Sequence, residues 1–229
     1  RRKGMSRMLK AVVFDMDGVI VDTEPVNRGR VLAYLRHYNA AVADKDLNDI
    51  VGRGKKEVWQ IIANVTGVGM TPQAMMEEYH HQWTPLHNEK VDYRALFRPS
   101  VKTVLDYARA HGLKTAVASS TAYEKVKSIL TEGGIFALMD EVTSGEDCTQ
   151  PKPRPDVYLE TAGKLGVRPE ECLVIEDSTV GIEAAHRAGA FVAALIDDRF
   201  PFDRAKADAE IADIADVVPI LASNQENGA

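Results

Sequence analysis

Apolar positions fall into two rhythms along this chain. Short runs such as Ala11-Val12-Val13-Phe14 place apolar residues side by side, the pattern of a strand buried on both faces. Three more segments share it: "KTAVA" (114 to 118), "CLVIED" (172 to 177) and "FVAALI" (191 to 196). Between these runs the apolar residues recur at three- and four-residue spacing, as on one face of a helix. Val101, Val104, Leu105 and Ala108 form one such stripe, ended by Gly112. Ala122, Val126, Ile129 and Leu130 form a second, ended by Gly133-Gly134; Thr121-x-x-Glu124 at its start has the form of a capping box, which makes Thr121 the expected cap and leaves Ser119 free. Tyr158, Thr161, Ala162 and Leu165 form a third, ended by Gly166, and "GIEAAHRAGA" (181 to 190) a small-residue fourth. Strands alternating with helices predict an α/β fold with a doubly wound, mostly parallel sheet.

Residues 23 to 93 break this alternation with helical stripes alone: Val31, Tyr34, Leu35 and Tyr38; Val58, Ile61, Ile62 and Val65; Met76, Tyr79, His80 and Trp83. The expectation is an all-helical subdomain inserted after the first strand. Residues 9 to 22 and 94 to 229 would form the core domain, and residues 1 to 8 a disordered lead with Met5 or Met8 as a native start. Two crossings, near Asp22 to Val26 and Asp92 to Pro99, would allow hinge motion.

Composition narrows the classes of partner. The 229 residues are 45% hydrophobic and 27% charged, enough for a full core, and the net charge of −6 argues against nucleic acid or an acidic membrane surface. No apolar run approaches the roughly 18 residues of a membrane span. The basic start Arg1-Arg2-Lys3-Gly4 leads into no signal-peptide apolar region. Cys148 and Cys172 make neither a disulfide framework nor a metal spacing. A cytoplasmic monomer is the simplest reading.

The strand ends carry the chemistry. In a doubly wound sheet the carboxyl ends of the strands share one edge, where ligands bind. That edge would gather Asp15 and Asp17, then Ser119 and Ser120, then Glu176 and Asp177. Two carboxylates about 4 Å apart repel by about 4 kcal/mol at an effective dielectric of about 20. A hard divalent cation removes that penalty, and Mg²⁺ suits an open site with few carboxylates. Hydroxyls at a helix start suit a phosphate, and Lys152, stiffened between Pro151 and Pro153, can add a fixed positive charge.

Taken together, "DMDGVIVDTEP", "VASS", "PKPRPD" and "VIEDS" resemble the four ordered motifs of the haloacid dehalogenase superfamily, and more narrowly its β-phosphoglucomutase-like branch of sugar-phosphate phosphatases and mutases. The resemblance covers nearly the whole chain and implies a Rossmann-like core with a helical cap. It implies that Asp15 attacks phosphorus to give an aspartyl-phosphate and that Asp17 is general acid and base. Mg²⁺ would bind Asp15, the backbone carbonyl of Asp17, and Asp177, with Glu176 a direct or indirect partner. Ser119, Ser120 and Lys152 would hold the phosphoryl oxygens. The implied function is a Mg²⁺-dependent phosphatase acting on a small phosphorylated metabolite such as a sugar phosphate.

Plainer readings compete at several positions. Asp17-Gly18 is a turn signal, Asp22 and Glu24 read as linker residues, and Met75, Met76, Tyr79 and Trp83 read as subdomain core. "GRGKK" (52 to 56) is either a solvated turn or a specificity loop in which Gly52 and Lys55 touch substrate. His80, His81 and His87 lack the further ligands of a zinc site. The mutases of the branch carry a histidine, an arginine and a lysine where this chain has Asn27, Lys55 and Ala122, which favours phosphatase over mutase. A receiver-like signalling domain and a non-catalytic phosphate-binding protein are the readings from other classes.

Overall fold

The computed structural model describes residues 8–39, 41–43, 47, 55–84, 91–146 and 148–226. In chain order, strand β1 (Ala11–Phe14) is followed by helices α1 (Glu24–Tyr38), α2 (Lys55–Thr66) and α3 (Pro72–Glu78), the last running into a π-helical turn at Tyr79–Trp83. Then come α4 (Ser100–Ala110), β2 (Lys114–Ser119), α5 (Tyr123–Glu132), β3 (Glu141–Ser144), α6 (Asp156–Leu165), β4 (Cys172–Glu176), α7 (Thr179–Ala188), β5 (Phe191–Leu195), β6 (Ala209–Ile211) and α8 (Val217–Glu226). The strands form one sheet in the order β3-β2-β1-β4-β5-β6, every pair parallel. The α/β expectation from the alternating pattern is met.

Period-two alternation within the buried strands explains the layers. Val12, Phe14, Val117, Leu173 and Ile175 face one side of the sheet, where Val101, Val104 and Leu105 of α4, Ile129 and Leu130 of α5, and Leu221 of α8 cover them. Ala11, Val13, Ala116, Ala118, Val174 and Val192 face the other, under Val157, Tyr158 and Ala162 of α6 and Ile182 and Ala185 of α7. Burial on both faces accounts for strands without polar partners in sequence.

Two compact units divide the chain. One holds the chain up to Asp22, Tyr93–Asp197 and the residues from Asp203 on; the other holds Thr23–Asp92 with Asp198–Phe202. The regular structure of the second is helical among its described residues, with Tyr34, Leu35, Trp59, Ile62 and Met75 buried at its centre. Tyr34 lies edge-on to Trp59, Tyr79 and Trp83, with ring centroids 6.1, 5.2 and 5.5 Å away. The Met75, Tyr79 and Trp83 stripe is core. Phe200 joins this unit beneath the guanidinium of Arg28, 5.6 Å from the ring centroid.

The turn signal at Asp17-Gly18 is met, and one local expectation is corrected. The turn adds no strand to β1, whose two edges are taken by β2 and β4. Residues 16 to 21 instead make a tight turn in which Met16 O accepts from the N–H groups of Ile20 and Val21, and Gly18 N–H donates to Val21 O at 2.7 Å. Thr121 is not the cap of α5: Ala122 holds that place with no side-chain capping bond, and the Thr121 hydroxyl is used elsewhere.

Candidate active site

Sheet register decides which side chains meet. Phe14 lies beside Val117 of β2 and Ile175 of β4, so Asp15, the next residue, leaves the sheet beside Ala118 and Glu176. Asp15 N–H donates to Ile175 O at 3.0 Å, which extends the ladder by one step and fixes the carboxylate's origin. Asp15, Glu176 and Asp177 are all buried, and each offers an oxygen within 4.8 Å of the other two. The separated acids of the first and fourth motifs converge at one point.

Lys152 is the cation among them. Its side chain is 7% exposed, and Nζ lies 2.5 Å from Asp15 Oδ1, 2.7 Å from Glu176 Oε1 and 2.9 Å from the Tyr158 hydroxyl, with Ala118 O at 3.3 Å. Tyr158 donates its hydrogen to Glu176 Oε1 at 2.7 Å. The other oxygen of Glu176 accepts from the N–H groups of Asp177 and Ser178 and from the Ser178 hydroxyl, at 3.1, 3.1 and 3.0 Å. Both oxygens of Glu176 are therefore engaged, which suits a carboxylate that organises its neighbours. Gly181, in the first turn of α7, makes room for it: a Cβ there would fall 1.7 Å from Glu176 Oε1.

The cluster is strongly acidic. Lys152 pairs with Asp15 and Glu176, and Asp177 brings a third carboxyl to the same buried point, an arrangement that is costly when all three are ionised. Burial pushes the Asp15 carboxyl up, Lys152 pulls it back, Glu176 and Asp17 push it up again, and it settles at about 7. Burial also raises Glu176, but the charge and hydrogen bonds of Lys152 outweigh it and hold Glu176 below its ordinary value. Burial alone would lower Lys152; Asp15 and Glu176 hold it well above the usual lysine range. One ammonium keeps Glu176 ionised and leaves Asp15 short. An all-oxygen donor set of three buried carboxyls fits a hard divalent ion.

The remaining residues of the sequence reading lie as follows. Asp17 stands outside the three-acid cluster; its Oδ2 accepts from the Thr121 hydroxyl at 2.9 Å. Ser119 is buried, and its Oγ accepts from Thr121 N–H at 3.0 Å, so its own hydrogen can still be donated. Ser144 closes the arrangement by donating its hydroxyl to Thr121 O at 2.9 Å. Ser120 is exposed, and among the described residues its hydroxyl has no hydrogen bond to the acids. Gly52 and His87 lie outside the described residues, and Lys55 begins α2. The histidines take no part in the one metal-capable group among the described residues. Burial pushes the thiols of Cys148 and Cys172 up to about 11 and about 12, which keeps both protonated near neutral pH. No helix among the described residues is long and apolar enough to cross a membrane.

Tyr158 and Thr121 were not recognised from sequence as site residues. Tyr158 sits on the apolar stripe of α6, where its ring reads as core, and Thr121 matched a cap pattern. A tyrosine buried six residues after the lysine was the available signal, since a buried phenol requires a partner.

Known proteins resemble this chain in sequence and fold. The family model for haloacid dehalogenase-like hydrolases matches residues 12–195. YhcW of Bacillus subtilis is 34% identical over 191 residues, covering 80% of this chain and 81% of that protein. Fructose-1-phosphate phosphatase YqaB of Escherichia coli is 29% identical over 185 residues, covering 78% of this chain and 92% of its own. The crystal structure of β-phosphoglucomutase from Clostridium difficile matches in fold with a TM-score of 0.74 at 22% identity, covering 96% of this chain and 99% of that one. With the family model spanning the sheet from β1 to β5, the chain belongs to the haloacid dehalogenase-like hydrolases.

Proposed function

We propose that this protein is a Mg²⁺-dependent phosphatase that hydrolyses a small phosphorylated metabolite, a sugar phosphate in the first instance, through an aspartyl-phosphate on Asp15. The observation that carries the reading is the meeting of Asp15, Glu176 and Asp177 at the carboxyl edge of the sheet, with Lys152 paired to the first two. Relatives named as phosphatases, YqaB among them, support the reaction class.

In this reading Asp15 and Asp177, with the backbone carbonyl of Asp17, would hold the ion, and Glu176 would support them through Lys152 and the backbone of Asp177 and Ser178. Bound there, Mg²⁺ would keep Asp15 ionised near neutral pH and offset the charge of the arriving ester. An oxygen of Asp15 attacks phosphorus while the bond to the ester oxygen breaks, and Asp17 gives that oxygen a proton. Asp17 then takes a proton from the water that attacks the same phosphorus, which frees phosphate and restores Asp15. Lys152 and the Ser119 hydroxyl donate to the phosphoryl oxygens. Water is the favoured acceptor because Ala122, before α5, supplies no amine for a second phosphate. Residues 23 to 93 would act as the cap, with Gly52 and Lys55 among those that choose the substrate.

A panel of phosphorylated sugars and polyols tests the reading, assayed for released phosphate with and without Mg²⁺ and with Asp15→Asn as the blank. Mg²⁺-dependent release from at least one ester, absent in the variant, is expected. Release that is equal in the variant, or none from any ester, overturns it.

A further inference from the structure

We infer that Tyr158 is a positioning residue, whose hydroxyl sets how the Lys152 ammonium is presented to a bound phosphoryl group; the inference rests on the phosphatase reading for the identity of that anion. Tyr158 occupies the first turn of α6 on the face packed against the sheet, 3% exposed among Val157, Ala162 and Val174. Packing there asks only for an aromatic ring. A hydroxyl in such a place is costly unless it is hydrogen-bonded, and here it is bonded twice, both times to the site.

The directions of the hydrogens give the hydroxyl its role. A phenol has one hydrogen, and it goes to Glu176 Oε1, 2.7 Å away. Its lone pair is then left for Lys152 Nζ at 2.9 Å. The ammonium has three hydrogens, and its three shortest contacts are Asp15 Oδ1, Glu176 Oε1 and this phenol oxygen. Without the phenol, the third hydrogen would be left with the longer contact to Ala118 O, at 3.3 Å. The phenol oxygen, at 2.9 Å, gives that hydrogen a closer acceptor and holds its direction. The lysine on its loop and the tyrosine on its helix are only six residues apart, so the sequence supplies the cation and its guide together. A phosphoryl oxygen arriving beside Asp15 thus meets an ammonium already held in place, and takes over the hydrogen otherwise given to Asp15.

Tyr158→Phe keeps the ring and removes only the guide. Calorimetric titration of wild type and variant with inorganic phosphate in saturating Mg²⁺, and with Mg²⁺ alone, reads the effect without turnover. Phosphate affinity is expected to fall roughly tenfold, the low end for a hydrogen bond to a charged group. Mg²⁺ affinity and the unfolding temperature should stay near wild type. Unchanged phosphate affinity overturns the inference, as does a loss confined to Mg²⁺ binding or to the unfolding temperature, which would make Tyr158 a support for the metal site or for the core. If neither protein releases phosphate from any ester but the affinities still differ, the phosphatase reading fails and the placement of Lys152 stands.

Discussion

The backbone of Gly18 passes so close to Asp177 that a Cβ on it would lie 1.8 Å from Oδ2 of that carboxylate. Gly18 also has φ +85°, a left-handed conformation that side chains disfavour, and its carbonyl accepts from Arg98 Nε at 3.0 Å. The turn after β1 and the end of β4 are thereby held against each other, with Arg98 bracing the turn through Asp22 as well, 3.7 Å away.

Gly18→Ala should disturb this contact twice, through strain in the turn and displacement of Asp177. The half-saturating Mg²⁺ concentration should rise by about tenfold or more, the usual scale for disturbing groups that orient metal ligands. Stability should fall by about 1–3 kcal/mol, as for other residues forced into unfavourable backbone regions. Metal-dependent activity and urea unfolding measure the two effects. An unchanged Mg²⁺ requirement would mean that the close approach does not set the position of Asp177.

Thr121 should matter through Asp17. With its N–H on Ser119 Oγ and its carbonyl on the Ser144 hydroxyl, Thr121 is pinned from both sides and holds Asp17 Oδ2 in one place. Thr121→Val should lower kcat by about tenfold, a fraction of the roughly 10² to 10⁴-fold that a general acid and base supplies, with KM nearly unchanged. Thr121→Ser should recover most of the loss. Steady-state kinetics decide it, and a rise in KM with kcat intact would place Thr121 on the substrate instead.

The fold was legible because its signals are local. Buried strands read as unbroken apolar runs, helices as stripes, and the acids of "VVFD" and "VIED" mark the carboxyl ends of β1 and β4 in register. Hydrogen-bond direction left no such mark. The pattern Thr121-x-x-Glu124 satisfies a capping rule, yet the hydroxyl gains more from the Asp17 carboxylate brought near by the pairing of β1 with β2, a partner 104 residues away that no local pattern records. Tyr158 shows the same limit: its ring obeys the helix period, while its hydroxyl answers to Lys152 and Glu176. The grouping of Asp198–Phe202 with the helical unit was also hidden, since it depends on chain distant in sequence.

Away from the site, Glu171 should govern stability in acid. It accepts from Arg168 N–H and pairs with Lys10 and Arg168, which hold its carboxyl down at about 2. A carboxyl depressed by folding stabilises the native state above its unfolded value near 4.5, and the contribution drains away as pH falls toward about 2. Glu171→Gln should cost about 1 kcal/mol at pH 7, less than the shift alone would convert to, because its exposed partners are screened by water and salt. Urea unfolding at stepped pH should show the two proteins converging between about pH 4.5 and 2. A difference that persists unchanged through that range would contradict the assignment.

Trapping the covalent intermediate tests the central claim most directly. Wild-type protein turning over a phosphate ester with Mg²⁺ is quenched in acid, treated with borohydride, which reduces an acyl phosphate to an alcohol, and mapped by peptide mass spectrometry. Reduction of Asp15 to homoserine, absent without ester and absent when Mg²⁺ is chelated, is the predicted result. Active enzyme that yields no modified Asp15, or modification at another carboxylate in its place, would contradict the account.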